Sequence, residues 1–440
     1  MAAPGLHSPF IPNTPDDQAA MLAAVGAGSI EELFTDIPVE HRHPSLALPE
    51  ALDEMALRRE MESLAARNLA PGAAGSFLGA GVYHHFCPAA VAPLVTRGEF
   101  LTSYTPYQPE VSQGTLQGSY EFQTLTAQLF GMEVSNAGMY DGASALAEAA
   151  LMACRITGHA RVAVTGTVNP RYVDTVRAYT APQGIEVYTV DATAPALEPE
   201  TAALLAQYPN FLGVIEEAQA QSDAAHAAGA LFCLSADPIA QALFKPAGAF
   251  GADIATGEGQ ALGVPASFGG PYVGIFTCRR EHIRQLPGRI VGRTTDAQGR
   301  TGYVLTLQPR EQHIRREHAT SNICTSTALV GLWATVYMAL MGRQGLRQVA
   351  ELCYQKAHYA AAQIAELPGY ALPVAGAFFQ EFVVSCPTEP DRVIRALEAE
   401  GIVGGLDVSE QVAGGMLVCV NETHTRADID RFVSVLKGVR

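Results

Sequence analysis

The chain has 440 residues, of which 48% are hydrophobic and 16% are charged, so it is long enough for a large core and more than one domain. The formal net charge is −16, and no long basic run occurs, which argues against nucleic acid or an anionic membrane as the main partner. No apolar run approaches the roughly 18 residues of a membrane span, and no secretion signal is evident. We therefore expect a cytoplasmic protein. Its eight cysteines are too widely spaced for a zinc or haem motif.

The first part of the chain carries helix-start signals. Thr14 precedes Pro15, which predicts an N-cap followed by the first helical residue. Ser29 and Glu32 have the spacing of a capping box. After a stretch punctuated by prolines, another helix is predicted over residues 52–68. These elements predict a helical N-terminal arm over residues 1–70.

The middle of the chain alternates helical stretches with short apolar runs. Helices are predicted over residues 124–131, 143–158, 169–179 and 218–228. Strands are predicted at residues 161–165, 186–190, 211–215, 230–234, 253–255 and 272–276. Repeated βα units of this kind favour a mostly parallel, buried sheet in a large α/β domain, residues 71–335.

The last part of the chain has a different pattern. A long helix over residues 325–341 is followed by a second one over residues 345–367. Strands near residues 380–385 and 415–419 then alternate with helices at residues 390–400 and 425–436. This order predicts a smaller C-terminal α+β domain, residues 336–440.

Two glycine-bearing turns resemble nucleotide-binding elements without matching them. Gly257, Gly259 and Gly263 are one residue too widely spaced for a dinucleotide fingerprint, and Pro265 would interrupt the helix that such a motif requires, so a tight turn is favoured. In the segment 139–144, backbone N–H groups at a helix start could bind phosphate. Because Asp141 and Ser144 are good capping residues, we favour a helix cap there.

Two polar segments are candidates for a site. The proline-stiffened loop 103–114 concentrates tyrosines, glutamines and hydroxyl groups, although composition alone leaves a binding loop and an ordinary connector equally open. In the segment 312–325, His313 and Glu317 have helical spacing but no third metal ligand nearby, so a solvated or interface helix is favoured. The turn that follows carries Thr320, Ser321 and Asn322.

Several motifs together make the chain similar to the glycine decarboxylase P-protein family. They are YTPYQPEVSQG at 104–114, MYDGA at 139–143, SFGGP at 267–271, LPGR at 286–289, REQHIRREHATSNICT at 310–325 and FTDIP at 34–38. The length and the arm resemble subunit 1, the α chain of the split bacterial form. The resemblance implies the α/β fold of pyridoxal-phosphate (PLP)-dependent transferases, the aspartate aminotransferase class or fold type I.

The resemblance also implies that the PLP-binding residues are missing from this chain. By comparison with the family's β chain, the Schiff-base lysine position falls at about Ala261, the ring-stacking histidine at about Ser144, and the aspartate that pairs with the pyridine nitrogen at about Ser235. A register error of two residues would place Asp237 at that last position. The chain has only three lysines, and Lys245 precedes the strand at residues 253–255, which makes it a poor substitute.

What the resemblance implies is a subunit that acts with a partner. PLP is expected in the β subunit of an (αβ)2 assembly that decarboxylates glycine and transfers the aminomethyl group to the lipoyl group of the H-protein. This chain is expected to contribute residues to the partner's site or interface: Tyr104, Thr105, Tyr107, Gln108, Ser112, Gln113, Arg316, Thr320, Ser321 and Asn322. Two alternatives remain: an autonomous PLP enzyme, an aminotransferase or cysteine desulfurase that uses Lys245, and a non-enzymatic scaffold.

Overall fold

A computed structural model describes residues 12–69 and 75–439 of the chain. The described residues fall into two compact units, which divide between residues 68 and 69. The boundary predicted at residue 70 falls in the segment 70–74, outside the described residues. None of the helices in the described ranges is long and apolar enough to cross a membrane.

The described part of the N-terminal unit, residues 12–68, contains two α-helices. Helix α1 spans Pro15–Val25, and Thr14 caps it in a capping box with Asp17, as the sequence predicts. Ser29, in contrast, makes no capping hydrogen bond, and only a short 3-10 turn follows it. The expected capping box fails because the Glu32 carboxylate accepts the N–H of Gly28, at 2.8 Å, instead of the N–H of Ser29. Helix α2 spans Glu54–Ala65 inside the predicted range.

A seven-stranded sheet forms the centre of the second unit. Its strands are β1 (Val134–Ser135), β2 (Arg161–Thr165), β3 (Glu186–Val190), β4 (Ala203–Tyr208), β5 (Leu231–Ala236), β6 (Ile254–Glu258) and β7 (Gly274–Cys278). They lie in the order β1-β7-β6-β5-β4-β2-β3. Strands β3, β2, β4, β5 and β6 are parallel, and β7 is antiparallel to both of its neighbours. The predicted mostly parallel sheet is therefore confirmed.

One predicted strand is wrong. Residues 211–215 form a turn, and the strand of this region is β4, which precedes them. The side chain of Asn210 accepts hydrogen bonds from the N–H groups of Leu212 and Val214, which closes the turn. The segment is apolar because Phe211 packs in a small cluster with Val383 and other residues of the C-terminal part. The apolar composition of this segment therefore reflects the burial of its side chains and not pairing in a sheet.

Helices cover the sheet. Those between β1 and β7 are α6 (Gly142–Thr157), α7 (Pro170–Thr180) and α8 (Ala218–Ala227), while α3 (Val91–Val95), α4 (Gly98–Leu101) and α5 (Gln113–Phe130) precede the sheet. Helix α5 begins eleven residues before its predicted start at residue 124, so it includes the end of the polar loop. The two long helices predicted beyond residue 325 are confirmed: they make up α10 (Ala328–Ala365), which is broken where Gly342 adopts a non-helical φ of 60°.

The remaining strands form two smaller sheets. A hairpin of β8 (Ile290–Thr295) and β9 (Thr301–Thr306), absent from the sequence prediction, packs against α5, and α9 (Gln312–Arg315) follows it. Strands β10 (Glu381–Ser385), β12 (Gly415–Cys419) and β11 (Leu406–Asp407) form an antiparallel sheet in that order. Helices α11 (Pro390–Ala399) and α12 (Arg426–Gly438) and the end of α10 pack on it. The C-terminal α+β pattern is as predicted.

Candidate functional site

A small cavity lies where strands β2, β4, β5 and β6 end. The carboxyl ends of neighbouring parallel strands share one edge of the sheet, which is where α/β proteins commonly bind ligands. The cavity has a volume of about 40 Å³, enough for a few water molecules. It is lined by Gly81, Tyr83, Asn169, Tyr172, Gln207, Pro209, Gly213, Ser235, Ala236, Asp237, Pro238, Glu258, Phe379, Gln380 and Glu381.

Glu258, the last residue of β6, contributes the first of three carboxylates to this cavity. Its Oε2 accepts the N–H of Gly142 at 2.8 Å, and its Oε1 accepts the N–H of Gln260 at 2.9 Å. Burial raises the pKa of this carboxyl to about 8, although both hydrogen bonds favour the charged form. Glu258 therefore joins the end of β6 to the first turn of α6.

Glu381 and Asp237 supply the other two carboxylates. Glu381 accepts the N–H of Ala80 at 2.6 Å and the hydroxyl of Tyr83 at 2.8 Å, and burial raises its pKa to about 7. Asp237 accepts the side-chain amide of Gln380 at 3.0 Å, together with two backbone N–H groups at 2.7 and 3.0 Å. Burial also raises the pKa of Asp237. Within the described ranges, no lysine or arginine lines this cavity.

The lysines of the chain lie elsewhere. The Lys245 ammonium group donates to Gln219 at 3.0 Å and lies 4.5 Å from the centre of the Phe250 ring. The Lys356 ammonium group donates to two backbone carbonyls of the segment 422–424. Lys437 lies in the last turn of α12. None of them lines the cavity.

The positions matched to PLP contacts have structural roles. Ala261 is buried in the turn after β6, and Ser144 completes a capping box with Asp141 at the start of α6, which bears out the favoured cap. Ser235 and Asp237 both line the cavity. A PLP site needs an amine for the Schiff base and free donors for the phosphate, whereas this cavity offers three carboxylates. The residues present do not fit PLP.

The polar loop of the sequence lies against the segment 310–325. The hydroxyl of Tyr107 accepts a hydrogen bond from Arg289 at 3.1 Å, and its ring lies edge-on to the His313 ring with the centroids 5.3 Å apart. The hydroxyl oxygens of Tyr104 and Thr325 are 3.3 Å apart. The fold thus brings together two segments that are separated by about 200 positions.

The other residues of the loop differ in their contacts. Gln113 bonds to the backbone of Tyr303 and Pro109, so it joins α5 to the hairpin β8–β9. Gln108 is exposed and Thr105 and Ser112 are half-buried. These last three make no side-chain hydrogen bond with another described residue. The loop therefore contains both a structural anchor and side chains that are free to contact something else.

A second, open cavity of about 790 Å³ lies between the turn at residues 316–322 and helices α6 and α7. It is lined by four of the predicted residues: Arg316, Thr320, Ser321 and Asn322. Thr320 is anchored to the Arg310 carbonyl through its N–H at 3.0 Å, whereas Asn322 is exposed. Arg316 is exposed and adopts a φ of 53°, so the backbone there is strained.

Glu148 lies at the floor of this second cavity and was not anticipated from the sequence. Its side chain is buried, and Oε2 has no hydrogen-bond partner among the described residues. Burial raises its pKa to about 7. In the sequence, Glu148 stands within an alanine-rich helix, and the sequence alone does not distinguish a buried carboxylate there from a solvated one. Glu258 had a weak signal in the sequence, since it stands at the end of a buried strand, and Glu381 had none.

Comparison with known proteins gives a consistent result. The model of the family described as glycine cleavage system P-protein matches residues 8–436. A protein of Thermomicrobium roseum named probable glycine dehydrogenase (decarboxylating) subunit 1 is 49% identical, with 97% of this chain and 99% of the relative covered. A protein of the same name from Desulfitobacterium hafniense is 48% identical, with coverages of 98% and 100%.

Solved structures are similar in fold. A crystal structure of glycine decarboxylase (P-protein) in inhibitor-bound form has a TM-score of 0.93 and 44% identity, covering 98% of this chain and 100% of that one. Sphingosine-1-phosphate lyase of Burkholderia pseudomallei has a TM-score of 0.63 at 16% identity, covering 91% and 94%. The second likeness concerns the fold alone. Together they confirm the predicted fold class, that of the PLP-dependent transferases of fold type I.

Proposed function

This chain belongs to the glycine cleavage system P-protein family, and from that premise we propose that it is a subunit of glycine dehydrogenase (decarboxylating) that does not itself bind PLP. In this proposal a second, β subunit holds PLP. The complex decarboxylates glycine and passes the aminomethyl group to the lipoyl group of the H-protein. This chain supplies part of the interface and of the partner's active-site surroundings. We place the complex in the cytoplasm.

The observation that carries the proposal is the composition of the cavity at the strand ends. Glu258, Glu381 and Asp237 lie where the cofactor of this fold is expected, and the described lining contains no lysine. The N–H groups of Gly142, Gln260 and Ala80 already donate to these carboxyl groups, so they are not free to bind a phosphate, and without an amine no Schiff base forms. The relatives' designation as subunit 1 supports a partner that supplies the missing chemistry.

The N-terminal arm supports an apolar interface with the partner. None of its described residues, 12–68, is buried, and they include large apolar side chains such as Leu46, Leu48, Met55 and Met61. Apolar side chains exposed along a whole segment are typical of a surface that another chain covers. We propose that the arm and the large domain take part in an (αβ)2 assembly.

The loop and the turn are the proposed contribution to the partner's site. They carry polar groups without a core role, and they adjoin one another through Tyr107 and His313. Tyr104 is 78% exposed in the single chain, so its ring and hydroxyl are available to a partner. The proposed set is Tyr104, Thr105, Tyr107, Gln108, Ser112, Arg316, Thr320, Ser321 and Asn322. Gln113 is assigned instead to holding the loop in place.

The alternatives are less well supported. An autonomous PLP enzyme would use Lys245, but that side chain points to Gln219 and does not line the cavity at the strand ends. A scaffold without any reaction conflicts with relatives named as subunits of an enzyme over nearly the full length of the chain. Neither alternative explains why the described lining of this cavity holds three carboxyl groups and no lysine.

The test is to purify the full chain alone and together with its candidate β subunit. We expect no aldimine absorbance and no glycine decarboxylation from the chain alone, and both from the complex. Borohydride reduction followed by mass spectrometry would locate any Schiff base, and Lys245→Gln serves as the control variant. A reduced PLP adduct on Lys245, Lys356 or Lys437, together with glycine turnover by the isolated chain, would refute the proposed function.

A further inference from the structure

The three carboxylates at the strand ends differ in what they bind. Asp237 and Glu381 accept hydrogen bonds from side chains and from loop N–H groups. Glu258 is different, because its Oε2 accepts the N–H of Gly142, the first residue of α6, at 2.8 Å. Residues 258 and 142 are 116 positions apart, so the contact depends on the topology of the sheet.

Helix α6 has 16 residues, which is enough for a substantial dipole. The first N–H groups of such a helix have no partner within it, and with the positive end of the dipole they form a site for anions such as phosphate. Here the chain occupies that site with carboxyl oxygens of its own. Asp141 accepts the N–H of Ser144 at 2.7 Å, and Glu258 accepts the N–H of Gly142.

The fit around Gly142 is close. A methyl group added at Gly142 would lie 2.7 Å from the Tyr172 hydroxyl oxygen and 3.0 Å from Cβ of Glu258. The same cavity contains the Gln380 side chain, 1% exposed, whose Oε1 has no donor among the described residues. The cavity thus keeps an unpaired acceptor, which a hydroxyl donor such as that of hydrogen phosphate would satisfy.

We propose that Glu258 closes an anion site from within: its carboxyl group, which accepts the Gly142 N–H, takes the position at the start of α6 that a phosphate group would otherwise occupy, and removing it opens the site to inorganic phosphate. This inference rests on the proposed function in one respect, since it explains why a subunit with the fold of PLP enzymes leaves the cofactor to its partner. On this inference the chain excludes the cofactor in two ways: the described lining of the cavity has no lysine, and the Glu258 carboxyl group fills the phosphate position.

The experiment measures the thermal unfolding midpoint of the full chain in chloride buffer, with inorganic phosphate added up to the millimolar range. We expect phosphate to raise the midpoint of Glu258→Ala progressively and to leave the unchanged chain unaffected. Titration calorimetry should show phosphate binding to the variant at least about tenfold more tightly than to the unchanged chain. Glu258→Ser, whose hydroxyl still accepts one N–H, provides a second and less disruptive variant.

Glu381→Ala is the matched control, because it removes a carboxylate from the same cavity without freeing the helix N-terminus. An equal phosphate response in this control would overturn the inference, as would no response in either folded Glu258 variant. If both Glu258 variants fold only when phosphate is present, the inference is supported; if they remain unfolded at every phosphate concentration, it is rejected. PLP uptake by the unchanged chain would refute the proposed function, whereas unresponsive variants without such uptake reject this inference alone.

Discussion

Gln113 and Tyr303 are joined by a reciprocal pair of hydrogen bonds. The Gln113 side-chain amide donates to the Tyr303 carbonyl at 2.8 Å, and its Oε1 accepts the Tyr303 N–H at 2.9 Å. A further bond to the carbonyl of Pro109, at 2.7 Å, ties the same side chain to the polar loop. One glutamine at the start of α5 thus holds the loop and the hairpin β8–β9 in register.

Replacing Gln113 should therefore affect stability more than chemistry. We expect Gln113→Ala to lower the free energy of unfolding by about 1 kcal/mol, because hydrogen bonds to the hairpin backbone are lost at a site that water still reaches. Urea unfolding measures the change. Gln117→Ala is the control, since Gln117 lies on the same helix and, among the described residues, its side chain bonds only to Glu121 one turn away. Equal losses in the two variants would contradict the assigned role.

Three other side chains should affect turnover of the complex without affecting its assembly. We expect Tyr104→Phe, Tyr107→Phe or Asn322→Ala to lower glycine turnover by about tenfold or more, the scale for one positioned polar contact near a reacting centre. Tyr359→Phe is the control, because its hydroxyl bonds to Asp430 on a different part of the surface. Steady-state kinetics measure glycine turnover, and size-exclusion chromatography checks that the complex still assembles. Normal turnover in all three variants would limit this subunit to structural support.

The buried carboxyl of Glu258 predicts a dependence of stability on pH. Its pKa is raised from 4.5 to about 8 by burial, so the folded state retains this proton more tightly than the unfolded state does. The stability it contributes is complete below pH 4.5 and is lost as the pH rises to about 8. The stability of Glu258→Gln relative to the unchanged chain should therefore increase over this range. Urea unfolding at several pH values tests this prediction, with the exposed Glu398→Gln as control. If the difference in unfolding free energy between Glu258→Gln and the unchanged chain stays constant with pH, the prediction is wrong.

The buried pair of His85 and Glu422 should respond to pH in a different window. Burial disfavours the charged form of both groups, but the attraction between them, at a distance of 2.8 Å, is the stronger effect. The pKa of Glu422 therefore falls from 4.5 to about 2, and the pKa of His85 rises above 6.5. The Glu422 contribution is complete above pH 4.5 and is lost toward pH 2, whereas the His85 contribution is complete below pH 6.5 and is lost above it. The pair should thus stabilise most between these two values.

Within that window, Glu422→Gln should cost about 3 kcal/mol, because it leaves a buried imidazolium without its counter-charge. Glu31→Gln is the matched control: Glu31 and His43 are also a His–Glu pair, at 2.9 Å, but both are exposed. That control should change stability by less than about 1 kcal/mol. Similar losses for the two variants would show that burial does not strengthen the His85–Glu422 pair.

Elements that depend on near neighbours in the chain could be predicted from the sequence. The caps at Thr14 and Asp141 form as expected, since a capping side chain reaches only three residues ahead. Most of the strands and helices were located because burial imposes a period on the sequence. The same reasoning failed at residues 211–215, where apolar residues pack against a distant part of the chain, and at the hairpin β8–β9, whose strands are partly exposed.

The sequence by itself determined the family through its motifs and the α/β architecture through its βα pattern, and it places an alanine at position 261, where the resemblance puts the Schiff-base lysine. Only the tertiary structure decided that Glu258 meets Gly142 and that Tyr107 meets His313. The physical reason is that capping and periodicity act within a few residues, whereas these contacts form between segments more than 100 positions apart. Their geometry follows from which strands become neighbours in the sheet, and no local signal encodes that order.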